Sequence, residues 1–182
     1  MKSNAFGLDI GTTTIKIVHL SKEKGGFQYV GSLLAPSPTS GMQSSSPFDQ
    51  QEMAQLLSKY VSEAKISTNN VNISLPENQV FTKVIDMPVL SAKELGNAIY
   101  WEAEQYIPAQ LDNMMLDWKI LKMPQDNLPD QKMQVLLVAA PKELIKKYQS
   151  IIELAGLNIV TVETDILAVI RSTMHTDRKS VV

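Results

Sequence analysis

Apolar and polar residues alternate through the first third of the chain. Residues 5–10 and 14–20 are short runs rich in β-branched side chains, separated by Gly-Thr-Thr, and read as two strands of a hairpin. A third strand is predicted over 27–35, after Gly25-Gly26. Residues 36–47 are rich in Pro, Ser and Gly and predict a surface loop. The period then changes. Met53, Leu56, Leu57, Tyr60, Val61 and Ala64 recur at helical spacing over 49–65, the signature of an amphipathic helix with one face on a sheet. Residues 71–75 alternate again before Pro76. The sum is a three-stranded antiparallel meander, a helix and a further strand.

A second unit comes next. Residues 79–86 predict a strand, and Ser91-Ala-Lys-Glu94 is a capping box in which each side chain satisfies an otherwise free backbone N–H. The helix it opens runs to about Ile107 and stops at Pro108. Strands are predicted over 115–122 and 132–139, joined by a Pro-rich loop at 124–130. Pro141 suits the first turn of another helix, which carries Leu144, Ile145, Tyr148, Ile151, Ile152 and Ala155 on one face and ends at Gly156. Residues 157–163 predict a last strand, so the order is β-α-β-β-α-β, the pattern of a split βαβ unit. A final helix is predicted from Thr164 or Asp165, with a frayed end beyond it.

Composition narrows the chemistry. The 182 residues suit one large domain or two small ones, and 44% hydrophobic with 20% charged is an ordinary globular balance. A net charge of −2 gives nucleic acid no electrostatic support as a partner. The absence of cysteine excludes disulfides and thiolate chemistry, and two histidines, His19 and His175, are too few for a multi-histidine metal site. The sequence shows neither a signal peptide nor an apolar run near the ~18 residues that span a bilayer. The reading is a cytoplasmic protein that meets a membrane only through a partner.

The hairpin is the segment with chemistry. Asp9-Ile-Gly-Thr-Thr-Thr offers consecutive backbone N–H groups at a tight turn, an anion-binding concavity. Gly11 lacks the Cβ that would keep phosphate oxygens away, and Thr12, Thr13 and Thr14 add hydroxyl donors. Asp9 can hold Mg²⁺ through water, since that ion sheds its waters reluctantly, and Lys16 can pair with a phosphate. A plain hairpin with a Gly-Thr turn would use the same tripeptide. The wider setting favours the phosphate loop: an acid ends an apolar strand, three hydroxyl residues follow, and two more strands come after. It is neither a Walker A loop nor a Rossmann fingerprint.

At this point the sequence resembles a family. Gly7-Leu-Asp-Ile-Gly-Thr-Thr-Thr-Ile-Lys16 looks like the first phosphate motif shared by FtsA, MreB, the heat-shock chaperone ATPases and PilM, and the Asp9-to-Lys16 spacing is similar to actin's. Longer segments are similar to PilM of type IV pilus assembly: Val80-Phe-Thr-Lys-Val-Ile-Asp-Met-Pro88, Tyr100-Trp-Glu-Ala-Glu-Gln-Tyr-Ile-Pro108, Val135-Leu-Leu-Val-Ala-Ala-Pro-Lys142 and Leu154-Ala-Gly-Leu157. The resemblance implies a mixed α/β (α+β), actin-like ATPase fold. Residues 1–77 would be subdomain 1A, 78–163 an inserted FtsA-type subdomain 1C, and 164–182 a helix returning to 1A. It implies ATP and Mg²⁺ as ligands, with Gly11, Thr12, Thr13, Thr14 and Lys16 at the phosphates and Asp9 at the metal. It also implies the short cytoplasmic tail of PilN as a partner, with other pilus platform proteins, at the inner membrane. The type II secretion platform uses a comparable domain.

Family members close nucleotide between two lobes. A second Asp-X-Gly hairpin and a Gly-rich adenosine loop do not occur after residue 163, so this reads as the front half of a member. Half a clamp leaves much of the ligand solvated, and weak ATP binding with little or no ATPase activity is expected. Asp165 resembles the acid that MreB and the chaperone ATPases place near the attacking water, but the position favours a helix N-cap, which needs only to bond backbone amides; Glu163 is a weaker candidate for the water-positioning role. Glu102 and Glu104 are two apart on a helix, do not share a face, and read as solvated or partner-facing. Tyr100, Trp101 and Tyr106 read mostly as packing, His19 as a surface or sheet residue, and the nine methionines as core filling. Two other functions stay open: a sugar-kinase-type phosphotransferase with the same first hairpin, and a structural remnant that no longer uses nucleotide.

Overall fold

The computed structural model describes residues 4–38, 42–124 and 131–173. Residues 125–130 of the expected Pro-rich loop, part of the 36–47 loop, His175 and the expected frayed end lie outside the described residues. The chain divides into two compact units: one runs to Pro76 and resumes at Lys146, and the other is Glu77–Ile145.

The first unit is built on a five-stranded sheet. Strands β1 (Phe6–Ile10), β2 (Thr14–Glu23) and β3 (Gly26–Pro36) form the expected antiparallel meander. Helix α1 (Pro47–Glu63) leads to β4 (Asn70–Leu75), which lies parallel to β1. The strand β8 (Asn158–Thr164) then pairs parallel to β4, completing the order β3-β2-β1-β4-β8. Period-2 alternation sorts the side chains. Phe6, Leu8 and Ile10 face the same side as Ile15, Ile17, Val71 and Ile73, their register partners, and all are buried. Met53, Leu57, Tyr60 and Val61 of α1 are buried too, as the helical spacing requires.

Two β-bulges reset the faces. The register of β2 with β3 shifts between His19 and Leu20, where Val30 is the extra residue. That of β4 with β8 shifts between Val71 and Asn72, where Val160 is extra. At the first bulge Gly31 comes so close to the end of α1 that a Cβ there would stand 2.4 Å from the Ala64 carbonyl oxygen. His19 is a sheet residue as expected, but a buried one, with Nε2 2.8 Å from Asn4 Oδ1.

The second unit holds β5 (Phe81–Pro88), helix α2 (Ala92–Tyr106), β6 (Met114–Lys122) and β7 (Lys132–Pro141), with strand order β5-β7-β6. Its core joins Ile85, Met87, Met133, Val135, Leu137 and Ala139 of the sheet to Leu95, Ile99 and Ala103 of α2. The capping box of α2 is formed: Glu94 Oε2 accepts from Ser91 N (2.9 Å) and Oγ (2.6 Å), and Ser91 Oγ accepts from Glu94 N (3.4 Å). Pro141 closes β7 rather than opening the next helix, α3 (Lys142–Leu154), which ends before Gly156 at φ +76°.

The element order β-α-β-β-α-β is as read, but its grouping needs correction. The expected inserted subdomain at 78–163 includes the last strand, yet β8 pairs with β4 and the second unit closes at Ile145. A strand's neighbour is set by which edge can satisfy its backbone N–H and C=O groups, and β4 offers such an edge. The three aromatics of α2 are also not its packing residues: Trp101 is 69% exposed, and Tyr100 and Tyr106 are exposed as well. Tyr106 lies under Lys83, whose Nζ is 3.4 Å from the ring centre, and Tyr100 donates to Asp112.

Two stability measurements probe these contacts. Gly31→Ala forces backbone apart at the first bulge and is expected to cost about 1–3 kcal/mol in urea unfolding. Ser91→Ala is expected to cost about 1 kcal/mol. The two hydrogen bonds from Ser91 hold the Glu94 carboxyl below its ordinary pKa. Their stabilisation is therefore complete above the unfolded-state pKa and is lost as pH falls through the lower folded one. The Tm gap between wild type and Ser91→Ala should be full at neutral pH and shrink below about pH 4.

Candidate functional site

The candidate site is the end of the first sheet where β1 turns into β2. Gly11, Thr12 and Thr13 make the turn, closed by Gly11 N–H donating to the Thr14 carbonyl oxygen (2.9 Å). A Cβ on Gly11 would stand 2.8 Å from that same oxygen, so the tightness of the turn requires glycine. Ser37, just past β3, pins the turn from the side: its N–H donates to Thr13 O (3.0 Å) and its hydroxyl to Gly11 O (2.7 Å). Carbonyl oxygens are thereby drawn inward, and Thr12 and Thr13 stand exposed at the tip.

Behind the turn, register builds a polar row across four strands. Lys16 on β2 is the partner of Asp9 on β1, Asp9 of Ser74 on β4, and Ser74 of Glu163 on β8. Partners share a face, so all four side chains lie on the side opposite Phe6, Leu8 and Ile10. Lys16 Nζ donates to Asp9 Oδ2 (2.7 Å), and Ser74 Oγ donates to Asp9 Oδ1 (3.2 Å). Lys16 is 60% exposed in this pair, so its long side chain can leave Asp9 for an incoming anion at little cost. At the far end of the row Glu163 is ion-paired with Arg171 of helix α4 (Asp165–Thr173).

Asp165 opens α4 but does not cap it. Thr164, buried, is the N-cap: its Oγ1 accepts from Leu167 N (3.4 Å), the third helical residue. Among the described residues Asp165 accepts only from the adjacent Ile166 N, at Oδ1 (2.7 Å), and it is half-buried. Of the two candidate acids, Glu163 in β8 is thus engaged by Arg171 and Asp165 at the head of α4 is the less committed.

One group was not legible in the sequence. Tyr148 of α3 is 1% exposed, as its place on the apolar face predicts, but its hydroxyl is buried without a hydrogen-bond partner among the described residues. Burial raises the phenol above its ordinary pKa, and the nearby charges of Asp9 and Asp165 raise it further. The hydroxyl is therefore neutral, a donor, and lies in the field of both carboxylates. Its helix is held to the segment after Ser37, where Lys147 Nζ donates to the carbonyls of Met42 (3.1 Å) and Gln43 (3.4 Å).

Gly11, Thr12 and Thr13 form the turn, Thr14 opens β2, and Lys16 and Asp9 stand beside the turn, while Asp165 lies at the head of α4, and its charge and that of Asp9 both raise the Tyr148 phenol. Ser37, Ser74 and the Tyr148 hydroxyl were missed, and Thr164 was offered only as a start of the last helix; Ser74 left a signal as a polar position in the alternation of β4. Among the described residues no group of three His, Cys, Asp or Glu side chains could hold a metal. That donor set suits Mg²⁺ bound by one carboxylate, water and phosphate oxygens better than any ion needing an all-protein cage. Glu102 and Glu104 make no such group either.

A family model described as type IV pilus assembly protein PilM matches residues 7–179. A solved PilM-PilN type IV pilus biogenesis complex aligns with a TM-score of 0.84 at 24% identity, over 95% of this chain and 51% of that one. The cytoplasmic domain of EpsL, an inner membrane component of the type II secretion system of Vibrio cholerae, aligns with a TM-score of 0.58 at 13% identity, over 90% of this chain and 58% of that one. At these identities the two structures speak for the fold, which is actin-like, and the chain spans little more than half the length of each. The family match extends over nearly the whole sequence, and the chain belongs to the PilM family of type IV pilus assembly proteins.

Proposed function

We propose that this chain is a nucleotide-responsive adaptor of the type IV pilus assembly platform, binding Mg-ATP at the β1–β2 turn and the tail of a PilN-type protein elsewhere on its surface. The observation that carries the nucleotide part is the turn itself. Gly11 permits a tight tip, Ser37 draws its carbonyls away, and Lys16 stands two residues past it with an exposed ammonium. Backbone amides at such a tip favour an anion. Thr12, Thr13 and Thr14 would hold phosphate oxygens, Gly11, its own amide committed to the Thr14 carbonyl, would let them approach closely, Lys16 would add a charge-assisted contact, and Asp9 would hold Mg²⁺ through water. The metal would neutralise phosphate charge. Lys16 must exchange Asp9 for phosphate on binding, which leaves Asp9 free for the hydrated cation. Asp165, the less committed of the two acids, would orient water.

The partner part rests on family membership and on the PilN present in the similar solved complex. Among the described residues no helix is long and apolar enough to cross a membrane, and attachment at the cytoplasmic side would come through the partner. Any hydrolysis would be slow and regulatory.

Two titrations test these parts. Mg-ATP added to the ¹⁵N-labelled chain should shift the amides of Gly11–Thr14 with a dissociation constant weaker than micromolar. Lys16→Ala should weaken it by roughly tenfold, the loss of one hydrogen bond to a charged group. Shifts elsewhere only, or an unchanged affinity, would remove the turn from the nucleotide site. A labelled N-terminal PilN peptide should show saturable anisotropy on titration with the chain, and its midpoint should move when Mg-ATP is added. A flat response from folded chain would count against the adaptor role.

A further inference from the structure

The outer strands of a sheet present a row of unpaired backbone N–H and C=O groups. In the first sheet these strands are β3 and β8, and in the second β5 and β6. Charged side chains on such a strand discourage another from adding to it. Glu163 stands in β8, Lys83 and Asp86 in β5, and Asp117, Lys119 and Lys122 in β6. β3 differs: it is the longest of the four, 11 residues, and it holds no charged side chain. Phe27 (59%), Tyr29 (63%) and Leu34 (70%) of this strand are exposed.

The hydrogen bonds of the meander fix which residues of β3 address its free edge. Gly11 N–H donates to the Thr14 carbonyl, so Thr14 is directed at β1, and Ser37 N–H donates to the Thr13 carbonyl, so Thr13 is directed at β3. Alternation along β2 then directs Ile15, Ile17, His19 and Ser21 at their partners Ala35, Leu33, Gly31 and Gln28. The residues between these partners, Phe27, Tyr29, Ser32 and Leu34, turn their N–H and C=O groups to the free edge. Their side chains share one face, where the Tyr29 hydroxyl lies 3.0 Å from Ser32 Oγ. The set passes from Tyr29 to Ser32 because Val30 is an extra residue.

That bulge selects the partner. A regular strand laid on β3 keeps step on one side of Val30 and is out by one residue on the other, so it can bond to one half only. A second copy of β3, antiparallel about a twofold axis at Val30-Gly31, brings its own extra residue to the same place. Phe27 then meets Leu34 of the second copy and Tyr29 meets its Ser32, edge-facing residue on edge-facing residue along the whole seam.

We infer that β3 pairs with β3 of a second copy of this chain, antiparallel and with Phe27 opposite Leu34, joining two five-stranded sheets into one. The neutral edge places no like charges across the axis, and apolar meets apolar at both ends of the seam. The contact is isologous, so it closes as a dimer. One strand from each copy makes a small seam, so the dimer is weak and concentration-dependent. The inference does not rest on the nucleotide reading.

Sedimentation velocity of the full chain, from low micromolar to submillimolar concentration, should show the average mass rising from monomer toward dimer. Leu34→Lys, at an exposed side chain, should leave Tm unchanged and weaken the dimer by roughly tenfold. The chain has no cysteine, so a disulfide reports only on introduced residues. A mixture of Phe27→Cys chains with Leu34→Cys chains should cross-link on mild oxidation, because Cα atoms of a hydrogen-bonded pair lie about 5.5 Å apart, within disulfide reach. Either variant alone should stay uncross-linked, since like positions are about 20 Å apart along the seam. A chain monomeric at every concentration would overturn the inference and leave the edge to a strand of another protein. So would self-association that Leu34→Lys does not weaken, or a mixture that cross-links no faster than either variant alone, since both put the seam elsewhere.

Discussion

Everything at the site depends on the position of β1 between an antiparallel neighbour on one side and a parallel one on the other. Five residues, Phe6–Ile10, carry two jobs on alternating sides: Phe6, Leu8 and Ile10 anchor the core, and Asp9 faces the opposite way between Lys16 and Ser74. Side-chain period in a strand is two, so a slip of one residue would bury Asp9 and expose Leu8. Full burial of one such apolar side chain contributes about 1.5–3 kcal/mol, and burying an uncompensated carboxylate costs several more. The hydrophobic pattern of a very short strand therefore holds the acid in place without a dedicated contact. Gly11 then reverses the chain within hydrogen-bond reach of Thr14, which delivers Lys16 opposite Asp9.

A second device works at the other edge of the sheet. Val160 is an extra residue in β8, and past it Thr161 aligns with Asn72 and Glu163 with Ser74. Without that bulge Val162 would be opposite Ser74 and Glu163 would point into the core. The bulge also sets the phase of the residues after it, so Thr164 is buried as cap and Asp165 emerges half-exposed at the head of α4. Glu163 is thus brought into one row with Ser74, Asp9 and Lys16 by strands that are far apart in sequence.

The second unit is organised differently. Its sheet of three strands is covered by α2, whose start is secured by a reciprocal cap, and its apolar contacts use small and aliphatic residues while the aromatics stay outside. Of the exposed aromatics, Tyr106 lies under Lys83 and Tyr100 donates to Asp112, so both are engaged at the surface.

By itself the sequence determined the local elements and their periods. The meander, both amphipathic helices, the capping box at Ser91 and Glu94 and the Gly-Thr turn with its flanking acid and lysine are written in residues a few positions apart, where backbone sterics and side-chain spacing act directly. Only the tertiary structure decided what depends on partners distant in the chain. The assignment of β8 to β4 rather than to the inserted unit came from an open sheet edge, which no local pattern encodes. The faces of Glu163 and Gly31 followed from bulges that break the period on which sequence reasoning relies. The cap of α4 fell to Thr164 rather than Asp165 because backbone geometry at the strand end selects between neighbours of equal propensity. And Tyr148 carries the same helical spacing as any core residue, so its ring was legible as packing, whereas the enclosure of its hydroxyl came only with the fold.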